Sequence, residues 1–134
     1  MRLAVISDIH SNLEALLAVL AKCREENMDQ IICLGDIIGY GPNPRECLIL
    51  VRRNCQVILR GNHEVMALDL EKYRQNINSL ALVAIEYALG KLNQDDLKFL
   101  DSLPLIATAN SDFTFAHSNF KHPEDWQNYI DEWC

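Results

Sequence analysis

The chain has 134 residues, room for one domain and too little for two. Hydrophobic residues make up 49% and charged residues 23%, which excludes disordered, collagen-like and coiled-coil chains. Lysine and arginine total 12 against 19 aspartate and glutamate, so the formal charge is −7 and the broad basic footprint of a nucleic-acid binder is missing.

The opening apolar run, Leu3-Ala4-Val5-Ile6, is cut short by Asp8 and His10. A secretory leader needs a longer apolar region, and a spanning helix needs ~20 apolar residues. The expectation is a cytoplasmic protein with no membrane partner. Five cysteines, an odd count with no Cys-x-x-Cys pair, agree with that compartment. Cys23, Cys33 and Cys47 read as buried small hydrophobes.

Taken in order, residues 2–7 predict a buried strand. Ser11-Asn-Leu-Glu14 reads as a capping box for a helix that turns Leu13, Leu16, Leu17 and Leu20 inward. Ile31 to Leu34 form a second strand ending at Gly35-Asp36. The segment from Gly39 to Pro44 is a loop, with Asn43 as N-cap and Pro44 as the first residue of a helix that buries Cys47, Leu48 and Val51. Gln56 to Leu59 give a third strand, followed by Arg60-Gly61-Asn62-His63. Strands and helices alternating with short connections imply a parallel sheet, with all three carboxyl ends on one edge. That edge is where open α/β sheets bind ligands.

Residues 64–103 read as helical. Ser79 starts a helix with Leu80, Val83, Ala84 and Tyr87 on its inner face and Gly90 at its end. Asn93 caps another, with Leu97, Leu100 and Leu103 inward, and Pro104 stops it. Residues 105–108 and 113–116 form a hairpin through Ala109-Asn110-Ser111-Asp112. Trp126, Tyr129 and Trp133 read as core or docking residues, and the acidic stretch from Glu124 to Glu132 as a solvated face.

The residues that follow each strand carry the chemistry. Asp8 and His10 follow the first, Asp36 the second, Asn62 and His63 the third, and His117 the last. In Asp8-Ile-His10 an extended backbone would point both side chains the same way. Carboxylate, imidazole and amide oxygen suit Mn, Fe, Zn, Ni or Mg. Asp36, between two such groups, is placed to bridge two cations ~3.5–4 Å apart. Such a pair neutralises phosphate oxygens and turns a bound water into hydroxide, and His63 is placed to protonate a leaving oxygen.

The motifs Ser-Asp8-Ile-His10, Leu-Gly-Asp36, Gly-Asn62-His63-Glu64 and Ala-His117, in that order, resemble those of the calcineurin-like metallophosphoesterases. The run from Leu34 to Cys47 is similar to the small prokaryotic phosphodiesterase/phosphatase subgroup. The resemblance implies an α/β fold, an αββα sandwich, with a dinuclear site for which manganese is favoured. It further implies that Asp8, His10 and Asp36 hold one ion, and that Asp36, Asn62 and His117 hold the other. His63 would stabilise phosphate or act as general acid, with Glu64 orienting it. Asn62 and His63 would meet a small phosphoester substrate; Arg60 reads as a helix-edge ion pair, with contact to substrate phosphate as the alternative.

Two positions depart from that pattern. Ser11 stands where many relatives have glycine. The Gly-His-x-His segment that closes the family's site is missing, and only His122, read as a solvated loop residue, follows His117. The expectation is therefore a single domain, residues 1–134, that is C-terminally incomplete. The alternative is a degenerate relative with a weak metal site that self-associates over an incomplete sheet.

Overall fold

The computed structural model describes residues 1–109 and 113–126. Three parallel strands, β1 (Leu3–Ile6), β2 (Gln30–Cys33) and β3 (Val57–Ile58), lie in the order β1-β2-β3. Leu3 pairs with Gln30 and Ile6 with Cys33, while Ile32 and Cys33 pair with Val57 and Ile58. Helices α1 (Leu13–Glu25) and α2 (Pro44–Asn54) make the two crossovers. Four helices follow: α3 (Asn62–Leu68), α4 (Leu70–Tyr73), α5 (Ser79–Leu89) and α6 (Gln94–Ser102). An antiparallel pair, β4 (Ile106–Ala109) and β5 (Phe113–Ala116), forms the second sheet. The connecting residues 110–112, and the Tyr129 and Trp133 readings, lie outside the described residues.

One core serves the helices and the parallel sheet. Leu16 and Leu20 of α1 and Cys47, Leu48 and Val51 of α2 join Cys33, Ile37, Ile85 and Leu100 in it. Cys23, Cys33 and Cys47 are buried free thiols, as expected. No helix among the described residues is long and apolar enough to cross a membrane.

Three local expectations are corrected. The cap of α1 is Asn12, whose Oδ1 accepts from the Ala15 N–H at 3.0 Å. Ser11 cannot reach it. Its backbone is left-handed (φ +58°) and donates to Ile37 O at 2.8 Å, which turns the side chain into the interior. β1 is not fully buried, because it is the edge of its sheet: Val5 is 50% exposed, and Leu17 of α1 is 47% exposed. The inner face of α5 is Ala81, Ile85 and Ala88, while Leu80 and Val83 face solvent at 68% and 63%. This helix is apolar on both sides, and small alanines let it approach α3 closely, so packing selected the face that periodicity could not.

The loops after β1 and β2 run beside each other. Asp8 N–H donates to Gly35 O at 3.1 Å, and His10 N–H to Asp36 O at 2.9 Å. Five non-glycine residues in these loops are left-handed: Asp8, His10, Ser11, Asp36 and Tyr40. The expected extended Asp8-Ile-His10 is therefore a tight turn. Left-handed backbone costs roughly 1–2 kcal/mol per residue, and such strain is kept where the surroundings over-determine it.

Ser11 combines that strain with a fully buried Oγ that has no hydrogen-bond partner among the described residues. Glycine there removes both costs, against roughly 0.5–1 kcal/mol of added chain entropy. Ser11→Gly should raise the melting temperature by a few degrees. A melting temperature equal to or below that of the wild type would show that the turn is not strained.

Candidate metal centre

Asp36 lies in the loop after β2 with its side chain almost wholly buried. Its Oδ1 accepts from the His63 N–H at 2.9 Å. That leaves Oδ2 to face outward, 3.8 Å from His10 Nε2 and 3.6 Å from His117 Nε2. Gly61 makes this approach possible: a Cβ there would collide with Asp36 Oδ1 and stand 2.5 Å from Asp36 N. The glycine admits this carboxylate.

Both histidines are aimed through their other nitrogen. His10 Nδ1 lies 3.3 Å from Ile38 O, and His117 Nδ1 lies 3.0 Å from Leu34 O. A carbonyl only accepts, so each Nδ1 carries a proton, and in the neutral tautomer Nε2 presents a lone pair. His117 Nε2 then faces Asn62 Oδ1 at 3.1 Å and Asp36 Oδ2 at 3.6 Å. His10 Nε2 faces Asp8 Oδ1 at 3.6 Å. In that tautomer lone pairs meet oxygens, which is repulsive unless a cation intervenes.

Donor spacing agrees with that need. Ligands about 2.1 Å from one small divalent ion stand roughly 3–4 Å from each other. Donor atoms of Asp8, Asp36 and His117 lie within 4.8 Å of one another, as do those of His10, Asp36 and His63. Asp36 belongs to both groups. Among the described residues, neither Asp8 nor Asp36 has a lysine or arginine partner. Burial first, and then the charges of Glu64 and Asp8, push the Asp36 carboxyl well above the usual carboxylate range.

His63 is also buried. Its ring meets His10 edge-on at 4.5 Å between centroids and Tyr40 at 4.8 Å. Nδ1 has no hydrogen-bond partner and packs against Gly39, where any Cβ would collide with it. Burial, followed by the His10 charge, lowers its pKa to about 4.

Glu64 does not orient His63. Its fully buried carboxylate accepts four backbone N–H groups: Asp36 and Ile37 at 2.8 Å, Gly61 at 2.9 Å and Ile38 at 3.1 Å. It thereby clamps the loop after β2 to the loop after β3. The signal was in the sequence, since Glu64 is the third residue of α3 and reaches back to the Gly61 N-cap as capping-box glutamates do.

The structure thus brings together Asp8, His10, Asp36, Asn62, His63 and His117. Arg60 is directed elsewhere. Its guanidinium donates to Leu103 O at 3.1 Å and to Asp101 O, at the carbonyl end of α6. His122 is exposed, and Trp126 lies 6.0 Å from the His117 ring.

The chain belongs to the calcineurin-like phosphoesterase family, whose model matches residues 1–133. It is 45% identical over 138 residues to an uncharacterized protein of Methanocaldococcus jannaschii, covering 97% of this chain and 56% of that one. It is 38% identical over 73 residues to serine/threonine-protein phosphatase 1 of Salmonella typhimurium, 54% of this chain and 34% of that protein. The crystal structure of a metallophosphoesterase from Sphaerobacter thermophilus matches with a TM-score of 0.74 and 37% identity, covering 92% of this chain and 48% of that one. The mixed α/β architecture is therefore the metallophosphoesterase fold, and the chain spans about half the length of the Methanocaldococcus and Sphaerobacter relatives.

Glutamine at position 64 would set an amide N–H₂ against backbone donors that now share a carboxylate. Hydrogen bonds to a buried charge are worth roughly 1.5–3 kcal/mol each. Glu64→Gln should therefore lose about 3 kcal/mol or more in denaturant unfolding. A loss within about 0.5 kcal/mol, the range of an ordinary surface substitution, would refute the clamp.

Proposed function

We propose that this chain is a divalent-metal-dependent phosphoesterase acting on small phosphomonoesters or phosphodiesters. The observation that carries this reading is the position of Asp36 Oδ2, held between His10 Nε2 and His117 Nε2 at 3.8 and 3.6 Å. Two opposed lone pairs around one buried carboxylate oxygen fit a pair of cations sharing a bridge. Asp8, His10 and Asp36 would hold one ion, and Asp36, Asn62 and His117 the other. The oxygen and nitrogen donors suit Mn, Fe, Zn, Ni or Mg, with Mn favoured.

When bound, such ions supply Lewis acidity at phosphate oxygens and a hydroxide from water near neutral pH. The chain's own residues do the positioning. The carbonyls of Ile38 and Leu34 hold the histidine tautomers, as outer partners of metal-ligating imidazoles do. The His63 N–H and the Glu64 clamp hold the Asp36 carboxylate against rotation. Among the described residues no carboxylate accepts from His63 Nδ1, so none of them stabilises an imidazolium through that nitrogen. This supports a neutral His63 that donates one hydrogen bond to a phosphoryl or leaving oxygen.

The free thiols Cys23, Cys33, Cys47 and Cys55 fit a cytoplasmic setting. Exposed Val5, Leu17 and Val19 beside the β1 edge favour a second property, self-association over that edge.

Asp36 separates catalysis from stability. A carboxyl whose folded pKa is raised keeps a proton that the unfolded chain has lost, so its contribution destabilises the metal-free fold increasingly as pH climbs above ~4. Asparagine keeps the acceptor for the His63 N–H, cannot ionise, and offers an N–H to the histidine lone pairs. Metal-free Asp36→Asn should melt above the wild type at neutral pH, with the advantage vanishing below pH ~4. Its Mn²⁺-dependent hydrolysis of p-nitrophenyl phosphate and bis(p-nitrophenyl) phosphate should fall by ~100-fold or more. Absence of turnover by folded wild type with any of Mn²⁺, Fe²⁺, Zn²⁺, Ni²⁺ or Mg²⁺ would defeat the proposal.

A further inference from the structure

Between β2 and α2 the chain passes through Gly39 and Tyr40, both left-handed at φ +98° and +51°. The segment is pinned on each side. Gly41 N–H donates to His10 O at 2.9 Å, Asn43 N–H to Ser11 O at 3.2 Å, and the Tyr87 hydroxyl to Pro42 O at 3.0 Å. Tyr40 is therefore held in place, and its ring stands 4.8 Å from both the His10 and His63 rings. Yet 47% of the residue is exposed. A large aromatic kept in strained backbone and half in water is not explained by burial in the core.

Its free side borders an open cavity of about 620 Å³ lined by Asp8, His10, Glu14, Tyr40, Gly41 and Pro42. Pockets of several hundred Å³ suit small organic ligands. Asp8 and His10 belong to this lining and to the metal centre alike, so a phosphoryl group at the centre has its ester substituent beside the cavity. Tyr40 offers that substituent an aromatic face, while Asp8 and Glu14 offer acceptors and repel a second anion.

We propose that the Tyr40 face and this cavity form the ester-group subsite, and that it takes a planar, uncharged aromatic group: an amino-bearing nucleobase, which stacks and also donates hydrogen bonds, or an aryl ring, which stacks alone. The assignment rests on the phosphoesterase reading above and names the substrate class for that centre. Stacking on Tyr40 sets specificity through binding, and the bond-breaking groups are unchanged.

AMP and ribose 5-phosphate share a phosphate and a ribose and differ in the base. Each is titrated into the full chain with Mg²⁺ present, followed by the NMR signals of isotope-labelled tyrosine rings. AMP should bind roughly ten- to a hundredfold more tightly, the scale of one base–aromatic stack, and should shift the Tyr40 ring. Tyr40→Phe should keep that preference and Tyr40→Leu should erase it, whereas Trp126→Leu, altering the aromatic on the His117 side, should keep it. In turnover with Mn²⁺, Tyr40→Leu should lower the kcat/KM preference for p-nitrophenyl phosphate over β-glycerophosphate about tenfold, mainly through KM. Equal wild-type affinity for the two ligands, a preference that survives Tyr40→Leu, or one that depends on Trp126 would overturn the subsite. Turnover of neither ester, with a Tyr40-dependent preference for AMP intact, would overturn the hydrolytic reading and uphold the subsite.

Discussion

Four backbone N–H groups, from Asp36, Ile37, Ile38 and Gly61, converge on the Glu64 carboxylate, out of reach of water. The geometry of the centre follows from that convergence. The clamp draws the loop after β2 against the start of α3, which brings Asp36 Oδ1 under the His63 N–H and leaves Oδ2 as the free acceptor. Without it, two strand-end loops would have to hold left-handed residues by their local preferences alone, and those preferences oppose the geometry by roughly 1–2 kcal/mol per residue. The strain at Asp8, His10, Asp36 and Tyr40 is thus sustained by a buried charge-assisted network.

Charge in the centre is arranged against itself. Asp36 is buried beside Glu64 and near Asp8, and its ion-pair neighbours are imidazoles whose protons are committed to Ile38 and Leu34 carbonyls. In a low-dielectric setting this excess of acceptors is unfavourable, and a protein keeps it where something positive completes it. The net charge of −7 makes the same point at lower resolution. On the proposed reading, an acidic chain that takes phosphoesters would have to attract phosphate locally, and the donor set at the strand ends would let it do so with cations.

Much of this was legible in the sequence, for identifiable reasons. Apolar runs followed by Asp8, Asp36 and Asn62 placed three strand ends and the candidate ligands after them, because parallel strands joined by short crossovers share an edge. Asn93 and Pro44 marked helix starts that the structure reproduces. The misreadings have physical causes as well. Ser11-Asn12 offers two adjacent capping residues, and only the tertiary bond from Ser11 N–H to Ile37 O decides between them. The α5 face was ambiguous because Leu80 and Val83 are as apolar as Ala81 and Ile85. Glu64 was assigned to its sequence neighbour His63, while three of its four partners lie more than twenty-five residues away in the loop after β2. Arg60 sits beside Gly61 in sequence, yet its side chain turns to the end of α6.

On the proposed reading one clamped carboxylate, Asp36, would be shared between two cation positions. Electron paramagnetic resonance of the full chain titrated with Mn²⁺ to saturation tests this directly, because ions bridged by one carboxylate at ~3.5–4 Å couple magnetically. The expected result is the multiline spectrum of a coupled pair, growing as the second equivalent of Mn²⁺ binds and lost in Asp36→Asn. A saturated wild-type sample that shows only the signal of isolated Mn²⁺ ions would contradict it.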